Sequence, residues 1–105
     1  MNELHNYGLA RFSKRTGKID TVMVGLGQGL IKLWALQNTL ETKACVVVDI
    51  DERKVVFETV GIDGGFPKIH DKPEAFEYDL PEGIFDVFDD EVYKREVERK
   101  RRKGE

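Results

Sequence analysis

A glycine-rich turn carries the clearest chemical signal in the sequence. Gly25, Gly27 and Gly29 alternate between an apolar, β-branched run and a segment whose leucines recur at helical spacing. Glycines let a ligand approach the backbone closely, and the first turn of a helix favours an anion, so this pattern is typical of phosphate binding. Asp49 ends the next apolar run, 20 residues after Gly29, where dinucleotide-binding proteins carry a ribose-binding carboxylate. These residues form a candidate nucleotide- or cofactor-binding site.

Over about residues 21–51 the chain resembles part of a Rossmann or methyltransferase fingerprint. The resemblance implies a bound nucleotide or S-adenosylmethionine. However, the third glycine of G-x-G-x-x-G would fall on Leu30, and residues 51–54 indicate a turn where a second crossover helix is needed. A chain of 105 residues is also short for the remaining strands. We therefore predict that the glycines close a strand-to-helix connection, and cofactor binding through Gly25, Gly27, Gly29 and Asp49 stays as the alternative.

Other reactive side chains are few. His5 and His70 are the two histidines; the pair His70-Asp71 suits a metal or a proton shuttle, but a loop histidine is more often solvated, and we expect that here. The single cysteine, Cys45, excludes an internal disulfide and is expected to be a small buried hydrophobe. The acidic run 49–52 lacks the length and central glycine of a calcium loop. The sequence predicts a protein without catalytic residues, metal ligands or a required cofactor.

The charges of the last third are strongly segregated. Residues 71–91 contain nine acidic residues and one lysine, whereas residues 94–105 contain seven Lys/Arg and three Glu. Aromatic residues are interleaved with the acids, which is unusual for a disordered solubility tail. Charge next to aromatic area supplies steering and anchoring to a partner. The predicted partner-binding residues are Tyr78, Asp79, Phe85, Asp86, Phe88, Asp89, Asp90 and Glu91.

The apolar residues of this segment leave two interpretations open. Ile84, Phe85 and Phe88 fall at i, i+1, i+4 spacing, so a helix would place them on one stripe. That stripe suits either a groove on a partner or docking onto the sheet of this chain. The basic end, 94–105, suits a weak and salt-dependent nucleic-acid contact, or pairing with the acidic block within or between chains.

The elements that would position these residues follow from periodicity. Residues 7–12 and 18–24 predict a hairpin, residues 30–40 a helix that ends near Thr42, and residues 44–49 and 55–60 a second hairpin. The order β-β-α-β-β predicts an α+β fold, with one helix on a mostly antiparallel four-stranded sheet. Glycines and prolines punctuate residues 61–81, which predicts an irregular segment. Residues 86–104 predict a charged terminal helix that is frayed beyond Tyr93.

Composition limits the function classes. A chain of 105 residues with 35% charged residues makes one domain at most. We divide it into an α+β core (1–65), an acidic, aromatic-containing arm (66–93) and a basic tail (94–105). The balanced charge before residue 71 argues against a general nucleic-acid binder. The N-terminus shows no secretory signal pattern, which predicts a cytoplasmic protein.

These features together predict a small non-enzymatic module that binds another protein. The expected partner is one with a basic or nucleic-acid-binding surface, which the acidic arm would occupy and thereby inhibit. Short, acidic accessory proteins of phages and mobile elements are similar in style. A homodimer through exposed sheet edges is a further expectation. Cofactor binding at the glycine turn and nucleic-acid binding through the basic tail are the alternative functions.

Overall fold

Five antiparallel strands form one sheet, with an α-helix against each face. The computed structural model describes residues 5–62 and 64–103. The elements in chain order are β1 (Asn6–Ser13), β2 (Ile19–Leu26), α1 (Gln28–Asn38), β3 (Lys43–Asp49), β4 (Lys54–Val60), β5 (Lys68–His70), a 3-10 turn (Pro73–Ala75) and α2 (Ile84–Lys103). The predicted α+β fold is therefore confirmed, and the sheet has one strand more than predicted.

The strand order is β2-β1-β3-β4-β5. β2 and β3 both pair antiparallel with β1, so they run parallel to each other on either side of it. α1 connects these two strands and passes over β1 on the way. The extra strand, β5, pairs with the end of β4, with Thr59 opposite Ile69. Sequence reasoning assigned these three residues to the irregular segment because glycines and prolines surround them.

The central strand β3 is buried on both faces, as its continuous apolar run predicts. Val46 and Val48 pack on the face that α2 covers, whereas Cys45 and Val47 pack on the face that α1 covers. The alternation follows from the two-residue period of a strand. Cys45 is fully buried, and burial raises the pKa of its thiol, as expected of a core cysteine.

The arm and α2 complete the core of the strands. Ile84 and Phe88 of α2 belong to the same buried cluster as Ala10, Val46 and Val60. Gly8 of β1 makes room for this contact, since a Cβ atom there would lie 2.6 Å from the Phe88 ring. The predicted division after residue 65 therefore separates segments that share one hydrophobic core.

The terminal helix predicted over 86–104 is present as α2, which continues to Lys103; Gly104 and Glu105 lie outside the described residues. The fraying expected beyond Tyr93 stays a prediction. Neither α1 nor α2, the α-helices of the described chain, has the length and apolar character needed to cross a membrane.

Candidate protein-binding surface

A buried carboxylate fixes the arm to the sheet. Glu58 of β4 is 0% exposed. Its Oε1 accepts a hydrogen bond from the backbone N–H of Glu77 at 2.6 Å and its Oε2 accepts one from Tyr78 at 3.3 Å. His70 Nδ1 lies 2.9 Å from the same Oε1. A carboxylate with several donors is stable in a buried position only while those donors stay in place, so Glu58 holds residues 77–78 against β4.

His70 is not the solvated loop histidine that the sequence suggested. It lies in β5 and is 7% exposed. The register places it directly opposite Glu58, which explains their contact. The prediction was wrong because the sequence shows no strand signal around this residue, and only strand pairing brings His70 to Glu58.

The aromatic residues of the predicted binding set point inward. Phe88 is 0% exposed. Tyr78 packs edge-on against Phe12, with ring centroids 5.2 Å apart, and burial raises the pKa of its hydroxyl. Phe85 packs against the core and lies 5.2 Å beneath the Arg53 guanidinium. Phe88 therefore does not face a partner as the predicted binding set implied. The apolar side of α2, with Ile84, Phe85 and Phe88, packs on the sheet of this chain.

The carboxylates of the set remain outside. Asp79, Asp86, Asp89 and Asp90 are exposed, and Glu91 is half-buried. Asp89 pairs with Arg53 at 2.9 Å, and Glu91 pairs with Lys94 at 3.6 Å. Asp79 and Asp90 form no ion pair with any residue of the described chain. Docking through the aromatic side therefore fixes an acidic surface, made of Asp79, Asp86, Asp89 and Asp90, that faces solvent.

The second half of α2 carries the basic residues and has little tertiary contact. All residues from Tyr93 to Arg101 are exposed. The guanidinium of Arg95 donates to the Val24 carbonyl of edge strand β2 at 2.9 Å, and a groove between α2 and β2 is lined by Leu26, Arg95 and Arg99 among others. On the outer side Tyr93 is 65% exposed and Val97 is 38% exposed. This half of α2 thus presents cations around two uncovered apolar side chains.

The glycine turn begins α1 but is closely packed. Gly25 lies at the end of β2, and a Cβ atom there would lie 3.3 Å from the Trp34 ring. Gly27 has a φ of 93° and precedes the first helical residue, a conformation that glycine adopts without strain. Gly29 lies in the first turn of α1. The close approach that Gly25 permits is made by Trp34, as expected for strand-to-helix packing.

Asp49 does not present an open carboxylate beside the glycine turn. It is 2% exposed, its Oδ2 accepts from His5 Nδ1 at 2.6 Å, and its Oδ1 accepts from the Glu52 N–H at 3.1 Å. Burial opposes the charge of Asp49, but these hydrogen bonds outweigh it and lower the pKa of the carboxyl. The carboxylate also raises the pKa of His5. The role of a ribose-binding acid is therefore not supported, because the carboxylate is buried and is held by hydrogen bonds within the chain.

His5 and Asp49 belong to the group in the described chain that best matches a cation site. One ligand atom from each of His5, Asp49 and Asp51 lies within 4.8 Å of the others. Each carboxylate already has protein donors: Asp51 Oδ2 accepts from the Asn6 N–H at 2.9 Å. These hydrogen bonds tie the beginning of β1 to the end of β3. Sequence reasoning noted the acids of 49–52 but missed His5, which only the pairing of β1 with β3 brings to them.

Comparisons with known proteins give no further assignment: no family model, no curated protein and no solved structure matches this chain.

Proposed function

We propose that this protein is a small, non-enzymatic protein-binding module whose contact region is the acidic surface of the arm and the first half of α2. The partner presents a basic surface. Where that surface normally takes nucleic acid, binding of this module blocks it, so the module acts as an inhibitor by charge mimicry. Steering by opposite charges gives fast, salt-sensitive association with such a partner.

The observation that carries this proposal is the fixed position of carboxylates that lack a counter-charge in the described chain. Asp79 follows the Glu58-bound segment, and Asp90 projects from a helix whose other side is buried. Asp86 lies on the same helix and is close enough to Arg53 to raise the pKa of that guanidinium. A surface that is already ordered loses little conformational entropy on binding. A flexible acidic tail would have to be ordered by the partner at a cost of about 0.5–1.5 kcal/mol for each immobilised long side chain.

Affinity capture from native lysate with paired charge variants tests the proposal. Asp90→Lys reverses a charge within the acidic surface, whereas Glu41→Lys makes the same change of net charge in the exposed turn after α1. We expect the full chain and Glu41→Lys to capture the same basic protein, and Asp90→Lys to lose it at least tenfold. The captured complex should dissociate as salt is raised.

Two results would contradict the proposal. Equal capture by Asp90→Lys and Glu41→Lys would show that the acidic surface is not the contact region. A salt-sensitive gel shift with nucleic acid that Arg101→Glu abolishes would instead support the alternative function, nucleic-acid binding through the basic end. A chain cut after residue 65 would lack the whole acidic surface, but it would also lack Ile84 and Phe88 of the core, so its loss of binding could not be separated from unfolding.

A further inference from the structure

The outer side of α2 carries one continuous stripe with opposite charges at its two ends. Residues at alternating spacings of four and three lie on one side of a helix. On the side of α2 away from the sheet these are Asp86, Asp90, Tyr93, Val97 and Lys100. All of them are exposed. The stripe is therefore acidic at its beginning, apolar in the middle and basic towards its end.

This order is complementary to itself when reversed. Suppose that a second α2 lies antiparallel to the first and that the two helices cross at the level of residue 95. A residue of the stripe then faces the residue of the other copy that lies equally far beyond position 95, so that the two residue numbers add up to 190. Tyr93 then faces Val97 of the other copy, and Asp90 faces Lys100. Each apolar contact and each ion pair occurs twice, as two-fold symmetry requires.

The spacing is also that of helices that pack side by side. Apolar residues repeated at three and four form the seam of a coiled coil, and Tyr93 and Val97 have this spacing in α2. The buried side of α2, with Phe88, faces the sheet, so the outer stripe can meet a second helix without displacing the core. In such a pair the two sheets lie on opposite outer sides of the two helices.

A second copy would also explain why the exposed half of α2 is helical. Arg95, whose guanidinium contacts Val24, is followed by residues 96–101, all of which are exposed. A helical segment that buries little apolar surface is marginal in water, since most helical stability in proteins comes from packing. Covering Tyr93 and Val97 with a partner helix supplies that packing.

We propose that the outer stripe of α2 is a homodimer interface, in which two copies of this chain pair through antiparallel α2 helices. This inference rests on the proposed function, because it names a second copy as one basic partner of the same carboxylates. It replaces the sheet-edge dimer expected from the sequence with a helix-to-helix dimer.

Sedimentation equilibrium of the full chain with charge-swapped variants tests the interface. We expect a concentration-dependent dimer, and we expect Asp90→Lys and Lys100→Asp each to raise its dissociation constant at least tenfold, since each replaces two attractive pairs with two repulsive ones. The combined variant, Asp90→Lys with Lys100→Asp, restores opposite charges across the interface. It should dimerise within about threefold of the original chain. Circular dichroism of each variant checks that the fold is retained.

The outcomes separate this inference from the proposed function. A monomer at every concentration, or a combined variant as weak as either single variant, would overturn the dimer interface. If the chain is monomeric but Asp90→Lys still loses a basic partner from lysate, the proposed function stands and only the second copy is excluded. If the dimer follows the charge swap while lysate capture is insensitive to Asp90→Lys, the proposed function fails alone.

Discussion

The two halves of α2 differ in charge and in their relation to the rest of the molecule: four of the nine residues in 84–92 are charged and all four are acidic, whereas nine of the eleven in 93–103 are charged and seven of these are basic. In residues 84–92, Ile84 and Phe88 are buried under an acidic outer side. In residues 93–103, Val24 of the sheet contacts the chain through Arg95, and the apolar residues Tyr93 and Val97 are uncovered. The first half is therefore stabilised by this chain's own core. The second half leaves Tyr93 and Val97 exposed, and this exposure is the reason for proposing a dimer contact there.

Replacing an aromatic residue in each half gives the largest contrast. Phe88→Ala should lower the free energy of unfolding by about 3–5 kcal/mol, because it removes a fully buried ring from the core. Tyr93→Ala should change it by at most about 0.5 kcal/mol, since the ring is mostly solvated. Urea unfolding at low protein concentration, where dimerisation does not contribute, measures both. Similar losses in the two variants would contradict the division of α2 into a docked half, residues 84–92, and a projecting half, residues 93–103.

The anchor of the docked half can be weakened without changing its shape. Glu58→Gln keeps the size of the side chain but replaces one of the two carboxylate oxygens with an NH2 group. One of the two backbone N–H groups, of Glu77 or Tyr78, then loses its acceptor. We expect a loss of about 1–3 kcal/mol, the usual cost of an unsatisfied buried group. Amide hydrogen exchange of Glu77 and Tyr78 should accelerate, whereas Glu74→Gln in the exposed 3-10 turn should leave it unchanged. Unaltered exchange in Glu58→Gln would show that the arm is held by packing alone.

Arg95 in the second half of α2 donates a hydrogen bond to the sheet, and removal of this bond should have a small effect. Arg95→Ala removes the donor to the Val24 carbonyl and should cost about 0.5–1.5 kcal/mol at most. Lys94→Ala, its neighbour, removes an exposed pair with Glu91 and should cost less than about 0.5 kcal/mol. Thermal unfolding compares the two variants. A larger loss for Lys94→Ala would mean that the second half of α2 is stabilised along its own length and not by the sheet.

The smallest expected effect involves neither half and serves as a control for both. The His5–Asp49 pair lies at the end of β3, on the side covered by α1, in register with Tyr7. The raised pKa of His5 means that its stabilisation is complete below the ordinary value of 6.5 and is lost as pH rises through the raised value. The lowered pKa of Asp49 means that its contribution is present above 3.8 and is lost as pH falls through the lowered value.

The pair therefore stabilises the fold most between about pH 3.8 and pH 6.5. The thermal midpoint of the original chain should exceed that of His5→Gln slightly in this window, and the difference should shrink at alkaline pH. The dissociation constant of the α2 dimer should be the same for both proteins at each pH. A pH-independent difference between the midpoints would mean that His5 contributes through packing and not through its charge.

The hairpins and α1 were predictable because each has a strong local signal. The apolar run 44–48, with its three consecutive valines, marks β3 whatever surrounds it, and Gly17 with its polar neighbours marks the turn of the first hairpin. β5 was missed because it is three residues long and its pairing with β4 is its main support. Glu58 was not recognised as an anchor, because an acid within a strand pattern ordinarily faces solvent.

The direction in which the acidic segment faces was beyond sequence reasoning. Its spacing of Ile84, Phe85 and Phe88 fits a partner groove and an internal face equally well. The decision depends on the opposite surface, where Gly8 leaves the space that the Phe88 ring fills. Residues 8 and 88 are far apart in the chain, so the local sequence around Phe88 gives no sign of the space that Gly8 leaves for it.

The sequence by itself determined the local elements, the segregation of charge and the apolar stripe of α2, because periodicity and composition are properties of neighbouring residues. The tertiary structure alone decided that the aromatic residues are core, that the carboxylates are the outer surface, and that Tyr93 and Val97 are left uncovered. The physical reason is that burial depends on which surface a residue meets, and that surface is built from distant strands.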